Sequence, residues 1–472
     1  SPVTLILRPD IDDCCNHNPT QAYLGAENAF PQRLKTGNDG FSFTLESKNR
    51  LEARISRGVF VGDSEWTYNF HDALEEERGL RATRDLYSPG HFRLDLRRGE
   101  TAVLSAALLT PSEPPMDAPV EPDAPIPFHE NNAKVPLKTA LEEALGAFIV
   151  RRNPLKTIIA GYPWFLDWGR DTLICLRGLI AAGRLDDALA IIVQFASYER
   201  KGCLPNMISG EQVSNWDTSD APLWLFNAVS EYMRAVGKNL SQKVLATPCG
   251  KRSLLQVLES IAASYMKGTE NGIAMDAASG LVFSPSHFTW MDTNYPAGTP
   301  REGYPIEIQA FWYGALDLLA KHTGKSIYVT TAKRVKESVA KYYVSRPEVG
   351  LSDCLHGRPG TPAAKATADD ACRPNQLFAL TVPGLIDDYE LQQTVIAATG
   401  HLLVPGGMRT LANQRVEFLQ PIYKDGHLLN NPAFPYWGEY IGDEDTRRKP
   451  AYHNGTVWAW PFPLYAEALV KT

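Results

Sequence analysis

The sequence predicts a multidomain protein of β-then-α class, in which a β-sandwich is followed by an (α/α)6 toroid that lacks its last helical hairpin. Two observations carry this prediction. Apolar residues alternate with polar ones through roughly the first 110 residues, which is the pattern of half-buried strands. Farther along the chain, apolar residues recur at the i, i+3, i+4 spacing of helices, and helices that follow an aromatic motif alternate with helices that do not.

The N-terminal domain, residues 1–110, is expected to consist of antiparallel strands packed sheet on sheet. Glycine and Asn-Asp-Gly turns separate its alternating segments. These segments are Phe41–Leu45, Leu51–Ile55, Trp66–Phe70, His91–Leu96 and Thr101–Leu108. About six strands beginning at Val3 indicate part of a larger sandwich.

A proline-rich stretch separates the two patterns. The run PSEPPMDAPVEPDAPIP, from Pro111 to Pro127, contains too many prolines for a helix or a central strand. We therefore expect residues 111–133 to form an extended, semi-rigid linker.

Residues 134–472 are expected to form the helical domain. Apolar spacing predicts about ten helices, which leaves an (α/α)6 barrel one hairpin short, so this domain is expected to be C-terminally incomplete. The predicted helices are Leu137–Ile149, Asp171–Ala182, Asp186–Tyr198, Asp220–Val236, Ser253–Lys267, Glu307–Thr323, Tyr328–Val344, Asn375–Leu380, Asp388–Thr399 and Thr456–Val470.

Composition excludes several classes of function. The net charge of −7 and the lack of a basic run argue against a nucleic-acid partner, and no apolar stretch approaches the ~20 residues that cross a bilayer. The seven cysteines are scattered without a CxxC pair, so free thiols are expected, which favours a cytoplasmic location. The common nucleotide, metalloprotease and serine-esterase motifs are missing, and we expect no cofactor and no metal site.

Clusters of aromatic and polar residues begin several of the helical segments. The clusters are YPWFLDWGRDT from Tyr162, SNWDTSDAPLW from Ser214, FTWMDT from Phe288, PIEIQAFW from Pro305, RPNQLF from Arg373 and YHNGTVWAWP from Tyr452. Aromatic rings offer flat apolar faces to one side of a sugar, while carboxylate, guanidinium, amide and imidazole groups hydrogen-bond its hydroxyls. The sequence therefore predicts one carbohydrate pocket at the ends of several helices.

The first two clusters place polar groups where helices begin. Trp168, Arg170 and Asp171 lie at a loop-to-helix junction, where the aspartate can cap the helix and the arginine can hold a carboxylate or a pair of hydroxyls. A capping residue with a structural ion pair is the alternative, but the neighbouring aromatic residues favour a sugar subsite. Asp220 also begins a helix, and taken alone it fits an N-cap better than a ligand-binding residue.

The FTWMDT cluster carries the sharpest prediction. Asp292 follows Trp290 in a loop rich in glycine and proline, so its carboxyl is not needed for helix packing. A carboxyl beside an indole is desolvated, which raises its pKa and suits it to protonating a glycosidic oxygen. The alternative is a solvated loop aspartate. Glu307, in the first turn of an apolar helix, fits either a charge favoured by the helix dipole or a hydroxyl acceptor.

Two later clusters supply planar polar groups. Arg373, Asn375 and Gln376 precede an apolar run, and they suit hydroxyl recognition as well as capping. His453 and Trp458 lie in the last cluster. The pattern slightly favours a functional role for the histidine over a structural one.

Together these motifs closely resemble the amylo-α-1,6-glucosidase family, the glucosidase part of glycogen debranching enzymes, in its prokaryotic type. The resemblance rests on GYPWFLDWGRDT, TWMDT with the trailing TPREGYPIEIQAFWY, RPNQLFAL, GGMRTL and AYHNGTVWAWP, which occur in family order. The segment EERGLRATRDLYSPGHF, from Glu76, resembles the N-terminal β domain of that family. The resemblance implies a β-supersandwich, here partial, before an (α/α)6 catalytic barrel, and inverting hydrolysis that releases glucose from α-1,6 branch stubs of glycogen-like glucans.

The resemblance also implies roles for particular residues. Asp292 matches the family's general acid. The residues expected to bind the glucan or oligosaccharide substrate are Trp168, Arg170, Asp171, Asp220, Trp290, Glu307, Arg373, Asn375, His453 and Trp458. The family's general base is a glutamate in a segment resembling P-E-[IL], followed by a Q-A-W run, and this sequence has neither. The base is therefore expected beyond Thr472, in a chain cropped at both ends, although Glu439, Asp443, Glu444 and Asp445 offer substitutes.

Three hypotheses about function remain open at this stage. The first is the α-1,6-glucosidase implied by the resemblance. The second is another inverting α-glucosidase, or a phosphorylase, on the same fold. The third is a glucan-binding protein without catalytic activity, which the missing base allows.

Overall fold

The computed structural model describes residues 3–14, 18–77, 81–117, 119, 135–152, 154–162, 165–209 and 212–472. The chain divides into two compact units, Ser1–Pro136 and Leu137–Thr472. Most of the predicted linker, residues 111–133, lies outside the described residues.

The described part of the first unit is built mainly of antiparallel strands. In chain order these are β1 Val3–Leu7, β2 Leu34–Thr36, β3 Gly40–Thr44, β4 Arg50–Ile55, β5 Val59–Val61, β6 Glu65–His71, β7 Thr83–Ser88, β8 His91–Leu96 and β9 Leu104–Leu109. They pair in the orders β1-β8-β5, β2-β3-β4-β9 and β6-β7. Phe41 of β3 contacts Phe60 of β5 and Phe92 of β8 at ring distances of 5.3 and 6.3 Å, so the two larger sheets share one core.

The five alternating segments of the sequence fall on strands of this unit, with one change of boundary. The last strand begins at Leu104 instead of Thr101, after a turn that ends at Glu100. Two helices, α1 Ala26–Arg33 and α2 Ala73–Glu77, were not predicted. The first contains Pro31 and only eight residues, so it carries little apolar periodicity to detect.

The second unit is mainly helical. Its helices are α3 Leu137–Ala147, α4 Gly169–Ala181, α5 Leu185–Ser197, α6 Ala221–Val236, α7 Ser241–Leu245, α8 Leu254–Lys267, α9 Ile306–Thr323, α10 Ser326–Tyr342, α11 Leu377–Thr381, α12 Tyr389–Gly400, α13 Lys449–Ala451 and α14 Phe462–Lys471. Its strands are short: Ile149–Arg152, Leu155–Ile158, Asp167–Trp168, Met207–Ser209, Gln212–Ser214, Pro248–Cys249, Arg252–Ser253, Ala274–Met275, Val282–Phe283, Gly303–Pro305, Cys354–His356, Thr367–Ala368, Leu403–Val404, Gly407–Arg409, Tyr423–Lys424, His427–Leu428 and Val457–Trp458.

The helices of this unit pack in two rows. In one row α4, α6, α9, α11 and α14 contact each other in succession. In the other row α5 packs on α4 and α6, α8 on α5 and α9, α10 on α9, and α12 on α11 and α14. Helices α6 and α9 are buried along much of their length because they have neighbours on several sides.

Helix boundaries predicted from apolar spacing agree with the structure to within a few residues, except at the C-terminus. Thr456–Val470 was predicted to be one helix, and this is wrong. Val457–Trp458 is a strand paired with Gly407–Arg409, and α14 begins only at Phe462. Pro461 and Pro463 account for the difference, because proline lacks a backbone N–H and fits a helix only in its first turn.

Small three-stranded sheets lie at the starts of two helices of the first row. Asp167–Trp168 pairs with Met207–Ser209 directly before α4, and Gly303–Pro305 pairs with Cys354–His356 directly before α9. These sheets fix the loops that carry the aromatic motifs. Within the described ranges no helix is long and apolar enough to cross a membrane, and six cysteines are free thiols.

Candidate active site

One cavity of about 600 Å³ in the helical unit gathers seven of the residues predicted to form a sugar site. They are Trp168, Arg170, Asp171, Trp290, Asp292, His453 and Trp458. Four further aromatic residues that the sequence did not single out for this role also line it: Phe148, Phe165, Tyr452 and Trp460. Residues from four distant parts of the chain therefore converge on one aromatic-walled space.

The start of α4 fixes the first group of these residues. Trp168 is both the end of a short strand and the N-cap residue of the helix. A Cβ atom on Gly169 would lie 2.3 Å from the carbonyl oxygen of Pro205, so only glycine allows this close approach of two backbones. The strand thus passes directly into the helix, and Arg170 and Asp171 occupy its first turn.

Arg170 connects two carboxylates from different segments. Its Nε donates to Oδ2 of Asp220 at 2.6 Å, and its Nη1 donates to Oδ2 of Asp292 at 2.7 Å. The side chain is buried, and its Nη2 has no hydrogen-bond partner among the described residues. A buried guanidinium N–H without a partner is costly.

The surroundings of Asp292 favour its protonated form. Desolvation raises the pKa of the Asp292 carboxyl, the Arg170 cation opposes this rise, and the negative charge of Asp220 adds to it. The side chain keeps 37% of its surface exposed, so the carboxyl is accessible from the cavity. Desolvation also raises the pKa of Asp171. The cavity therefore holds a carboxyl suited to donating a proton.

His453 contributes a neutral imidazole. The residue is 2% exposed, and neither ring nitrogen has a hydrogen-bond partner in the described part of the chain. Its ring stacks on Trp458 at 5.6 Å and meets Trp290 edge to face at 5.1 Å. Burial lowers the pKa of His453 well below its ordinary value, because the cation would be desolvated among apolar rings. A neutral imidazole can donate one hydrogen bond and accept another, which suits it to binding two hydroxyls of a sugar.

Four of the predicted site residues lie behind the cavity lining instead of in it. These are Asp220, Glu307, Arg373 and Asn375, each at most 2% exposed. Buried charges require partners, and all four are engaged within the protein. The sequence predicted these four side chains inside the pocket. In the structure their partners within the protein hold them outside its lining.

Asp220 supports the cavity through Arg170. It occupies the N-cap position of α6, yet its side chain makes no capping hydrogen bond. Its Oδ1 accepts from Thr218 Oγ1 at 2.6 Å, and its Oδ2 accepts from Arg170. The aspartate is therefore the counter-ion of the cavity arginine.

Glu307 belongs to a buried ion cluster that the sequence did not reveal. Arg301 donates to both Glu307 oxygens at 2.5 and 2.7 Å, and its Nε donates to Oδ2 of Asp353 at 2.6 Å. Arg301 lies only six residues before Glu307, in the same TPREGYPIEIQAFWY motif, so the partner of the glutamate was present nearby in the sequence. Asp353 lies in none of the sequence motifs, so its role could not be predicted.

Asn375 and Arg373 hold the cavity walls from behind. Asn375 Oδ1 accepts from Trp290 Nε1 at 2.7 Å, and its Nδ2 donates to Asp353 Oδ1 at 2.8 Å. Arg373 donates to Asn454 Oδ1 at 2.8 Å and also to the backbone carbonyl of His453. These contacts orient the indole of Trp290 and the segment that carries His453.

The acidic loop residues considered as substitutes for the base do not line the cavity. Asp443 caps the turn Glu444–Arg448 by accepting a hydrogen bond from the Thr446 N–H at 2.8 Å. Glu444 Oε2 lies 3.5 Å from Arg448 Nε. Asp445 pairs with Lys424 and Lys449, and Glu439 is exposed. The hydrogen bond from Thr446 and the pair with Lys424 hold the pKa of Asp443 and of Asp445 below the ordinary value, which makes both weak bases.

Comparison with known proteins gives a matching family. The family described as amylo-alpha-1,6-glucosidase matches residues 144–472, and the family described as glycogen debranching enzyme N terminal matches residues 1–103. The chain is also similar to the glycogen debranching enzyme of Saccharomyces cerevisiae, with 24% identity over 384 residues that cover 64% of this chain and 24% of that protein. The chain thus spans about a quarter of the length of this relative.

Solved structures give remoter likenesses. A rhamnosidase from Klebsiella oxytoca with rhamnose bound is 12% identical, with 99% of this chain and 96% of that chain covered and a TM-score of 0.39. A bacterial glucoamylase complexed with acarbose is 12% identical, with 85% of this chain and 63% of that chain covered and a TM-score of 0.44.

Proposed function

This chain belongs to the amylo-alpha-1,6-glucosidase family, and on that premise we propose that it is an inverting glycoside hydrolase that releases glucose from α-1,6 branch stubs of glycogen-like glucans. The helical unit is proposed to be an (α/α)6 toroid, with α4, α6, α9, α11 and α14 as its inner row. The strand-rich unit is proposed to be part of a β-supersandwich. Free thiols among the described cysteines support a cytoplasmic location.

One observation carries the proposal for the site: two carboxyls, a guanidinium and an imidazole belong to side chains that line the same cavity as several indole rings. Arg170 Nη2 and both ring nitrogens of His453 are buried without a hydrogen bond from the described residues, and both side chains line the cavity. Protein interiors rarely leave such groups unpaired. A glucose unit would supply hydroxyls to these atoms and an apolar face to the rings of Trp290 and Trp458.

Asp292 is proposed as the general acid. Desolvation raises the pKa of its carboxyl, which favours the protonated form that a general acid needs, and Arg170 holds the Oδ2 oxygen in place. In the proposed reaction Asp292 gives its proton to the glycosidic oxygen as the bond to the anomeric carbon breaks. Water adds to that carbon from the opposite face and loses a proton to a second carboxylate, so the product is β-glucose.

Asp171 is proposed to bind a sugar hydroxyl and not to act as that second carboxylate. An inverting base lies about 6.5–9.5 Å from the acid and across the sugar ring from it. Asp171 lies in the first turn of α4, directly after the arginine that holds the acid, and we propose that its carboxyl lies on the acid's side of the sugar ring. The general base is proposed to be a carboxylate other than Asp171 and Asp292.

Product analysis tests this function. The full-length native protein would be incubated with maltotriose carrying one α-1,6-linked glucose, and early products would be followed by proton NMR. We expect β-glucose to appear before mutarotation produces the α anomer. Initial α-glucose would overturn the inverting mechanism, and glucose 1-phosphate formed in the presence of phosphate would indicate a phosphorylase. Binding without any product would indicate a glucan-binding protein.

A further inference from the structure

An unbroken series of ring contacts leads from the wall of the cavity to an exposed tyrosine. Trp290 meets Trp458 edge to face at 5.8 Å, and Trp458 meets Tyr452 at 4.9 Å. Tyr452 in turn contacts Tyr440 at 5.5 Å. Along this path exposure increases, from 7% for Trp290 to 42% for Tyr440. The cavity wall therefore continues outward as an aromatic surface that ends at an exposed ring.

The segment that carries Tyr440 is fastened to the cavity wall. The backbone N–H of Trp437 donates to the carbonyl of Asn454 at 2.5 Å. Gly455 has a φ of +139°, and a Cβ atom there would lie 2.8 Å from the ring of Tyr436, so this segment packs on the glycine itself. The exposed ring follows this fixed stretch by three residues and contacts Tyr452.

Tyr452 links this exposed ring to the reacting groups. It lines the cavity, and burial raises its pKa, with the charges of Tyr440, Asp292 and Asp171 contributing in the same direction. Tyr452 is therefore within electrostatic range of the carboxyl proposed as the acid. The sugar that carries the leaving oxygen, which Asp292 protonates as its bond to the anomeric carbon breaks, extends out of the cavity, and the aromatic surface offers it an apolar face.

We infer that Tyr440 stacks against the glucosyl residue on the leaving-group side of the scissile bond, the residue that stays in the main chain when the branch glucose is removed. The inference rests on the proposed function and adds a residue that selects for branched glucans over single sugars. An aromatic ring that continues the cavity wall outward matches the alternation of apolar C–H faces and hydroxyl edges in a glucan chain. Tyr440 contacts substrate in this role, and it takes no part in proton transfer.

Two probes of different length separate the cavity from this outer surface. Deoxynojirimycin is the size of one glucose, and maltotriose with one α-1,6-linked glucose reaches past the scissile bond. Dissociation constants would be measured by quenching of tryptophan fluorescence, since the four tryptophans that line the cavity respond to either probe. The variants are Tyr440→Ala, Tyr440→Phe and, as a matched control, Tyr389→Ala; all of them and the wild-type reference carry Asp292→Asn, so that the tetrasaccharide is not hydrolysed during the titration. Tyr389 is 63% exposed at the start of α12, away from the cavity lining.

We expect Tyr440→Ala to weaken binding of the branched tetrasaccharide about 10-fold and to leave deoxynojirimycin binding within about 2-fold of wild type. Tyr440→Phe retains the ring and should bind like wild type, as should Tyr389→Ala. Equal binding of the tetrasaccharide by Tyr440→Ala and wild type would overturn the inference while leaving the proposed function standing. Failure of both probes to bind the wild-type protein would overturn the proposed function and the inference together.

Discussion

Arg170 Nη1 donates a hydrogen bond of 2.7 Å to Oδ2 of Asp292, across 122 residues of sequence. The same guanidinium also binds Asp220, so one cation serves two carboxylates of different exposure. Asp220 is fully enclosed and balances the charge of the arginine, whereas Asp292 reaches the cavity. The pKa of Asp292 is thus set by desolvation working against one shared cation. This arrangement leads to the first two predictions.

Asp292→Asn should abolish hydrolysis of ordinary α-1,6-glucosides, because an amide cannot protonate the leaving oxygen. General acid assistance is typically worth about 10²–10⁴ in rate, which sets the expected loss in kcat. α-Glucosyl fluoride scarcely needs a proton on its leaving group, so its turnover should fall much less. Steady-state rates on both substrates, measured with the full-length protein, check the prediction. Asp443→Asn is the matched control, since Asp443 caps a surface turn; equal losses on both substrates in Asp292→Asn would contradict the acid role.

Asp220→Asn should lower the pKa of Asp292. The negative charge of Asp220 raises that pKa, and its removal leaves the Arg170 cation less neutralised. The acid must be protonated to act, so activity is lost as pH rises through the pKa of Asp292. The alkaline limb of kcat/KM should therefore move to lower pH in this variant. Arg170→Met removes the cation and should move the limb to higher pH. Shifts of the same sign in the two variants would contradict the shared-cation arrangement.

Much of the fold and part of the site could be predicted from the sequence, because both depend on local patterns. Helices such as α8 bury a regular apolar face, and Trp290 and Asp292 are two residues apart in one motif. The sequence could not show which of these side chains reach the cavity and which lie behind its wall. The pattern that marks hydroxyl-binding side chains does not separate Asp171, which reaches the cavity, from Asn375, which lies behind it. That distinction depends on pairings such as that between Arg301 and Asp353, which are 52 residues apart.

His453→Phe should make the protein more stable and its binding of a glucose-sized ligand weaker. The imidazole is buried with both nitrogens unpaired, so an apolar ring of similar shape removes an unsatisfied polar group and keeps the contacts with Trp290 and Trp458. We expect a higher free energy of unfolding in urea and, at the same time, deoxynojirimycin binding about 3–10-fold weaker because a hydroxyl partner is lost. His453→Ala controls for lost packing and should be less stable. Unchanged affinity in His453→Phe would show that the imidazole does not contact the sugar.

Two glycines of α4 should respond in opposite directions to the same substitution. Gly178→Ala adds a methyl group whose nearest contact is 3.9 Å away, at Leu145, so the helix should gain up to ~1 kcal/mol from improved helix propensity. Gly169→Ala instead forces a Cβ atom to 2.3 Å from the carbonyl of Pro205, and the strand and the helix start must separate. That movement displaces Arg170, so we expect a lower free energy of unfolding together with weaker deoxynojirimycin binding. Urea unfolding and fluorescence titration of both variants measure the two effects. A stable Gly169→Ala protein with wild-type affinity would show that the close approach of α4 to Pro205 does not position the cavity arginine.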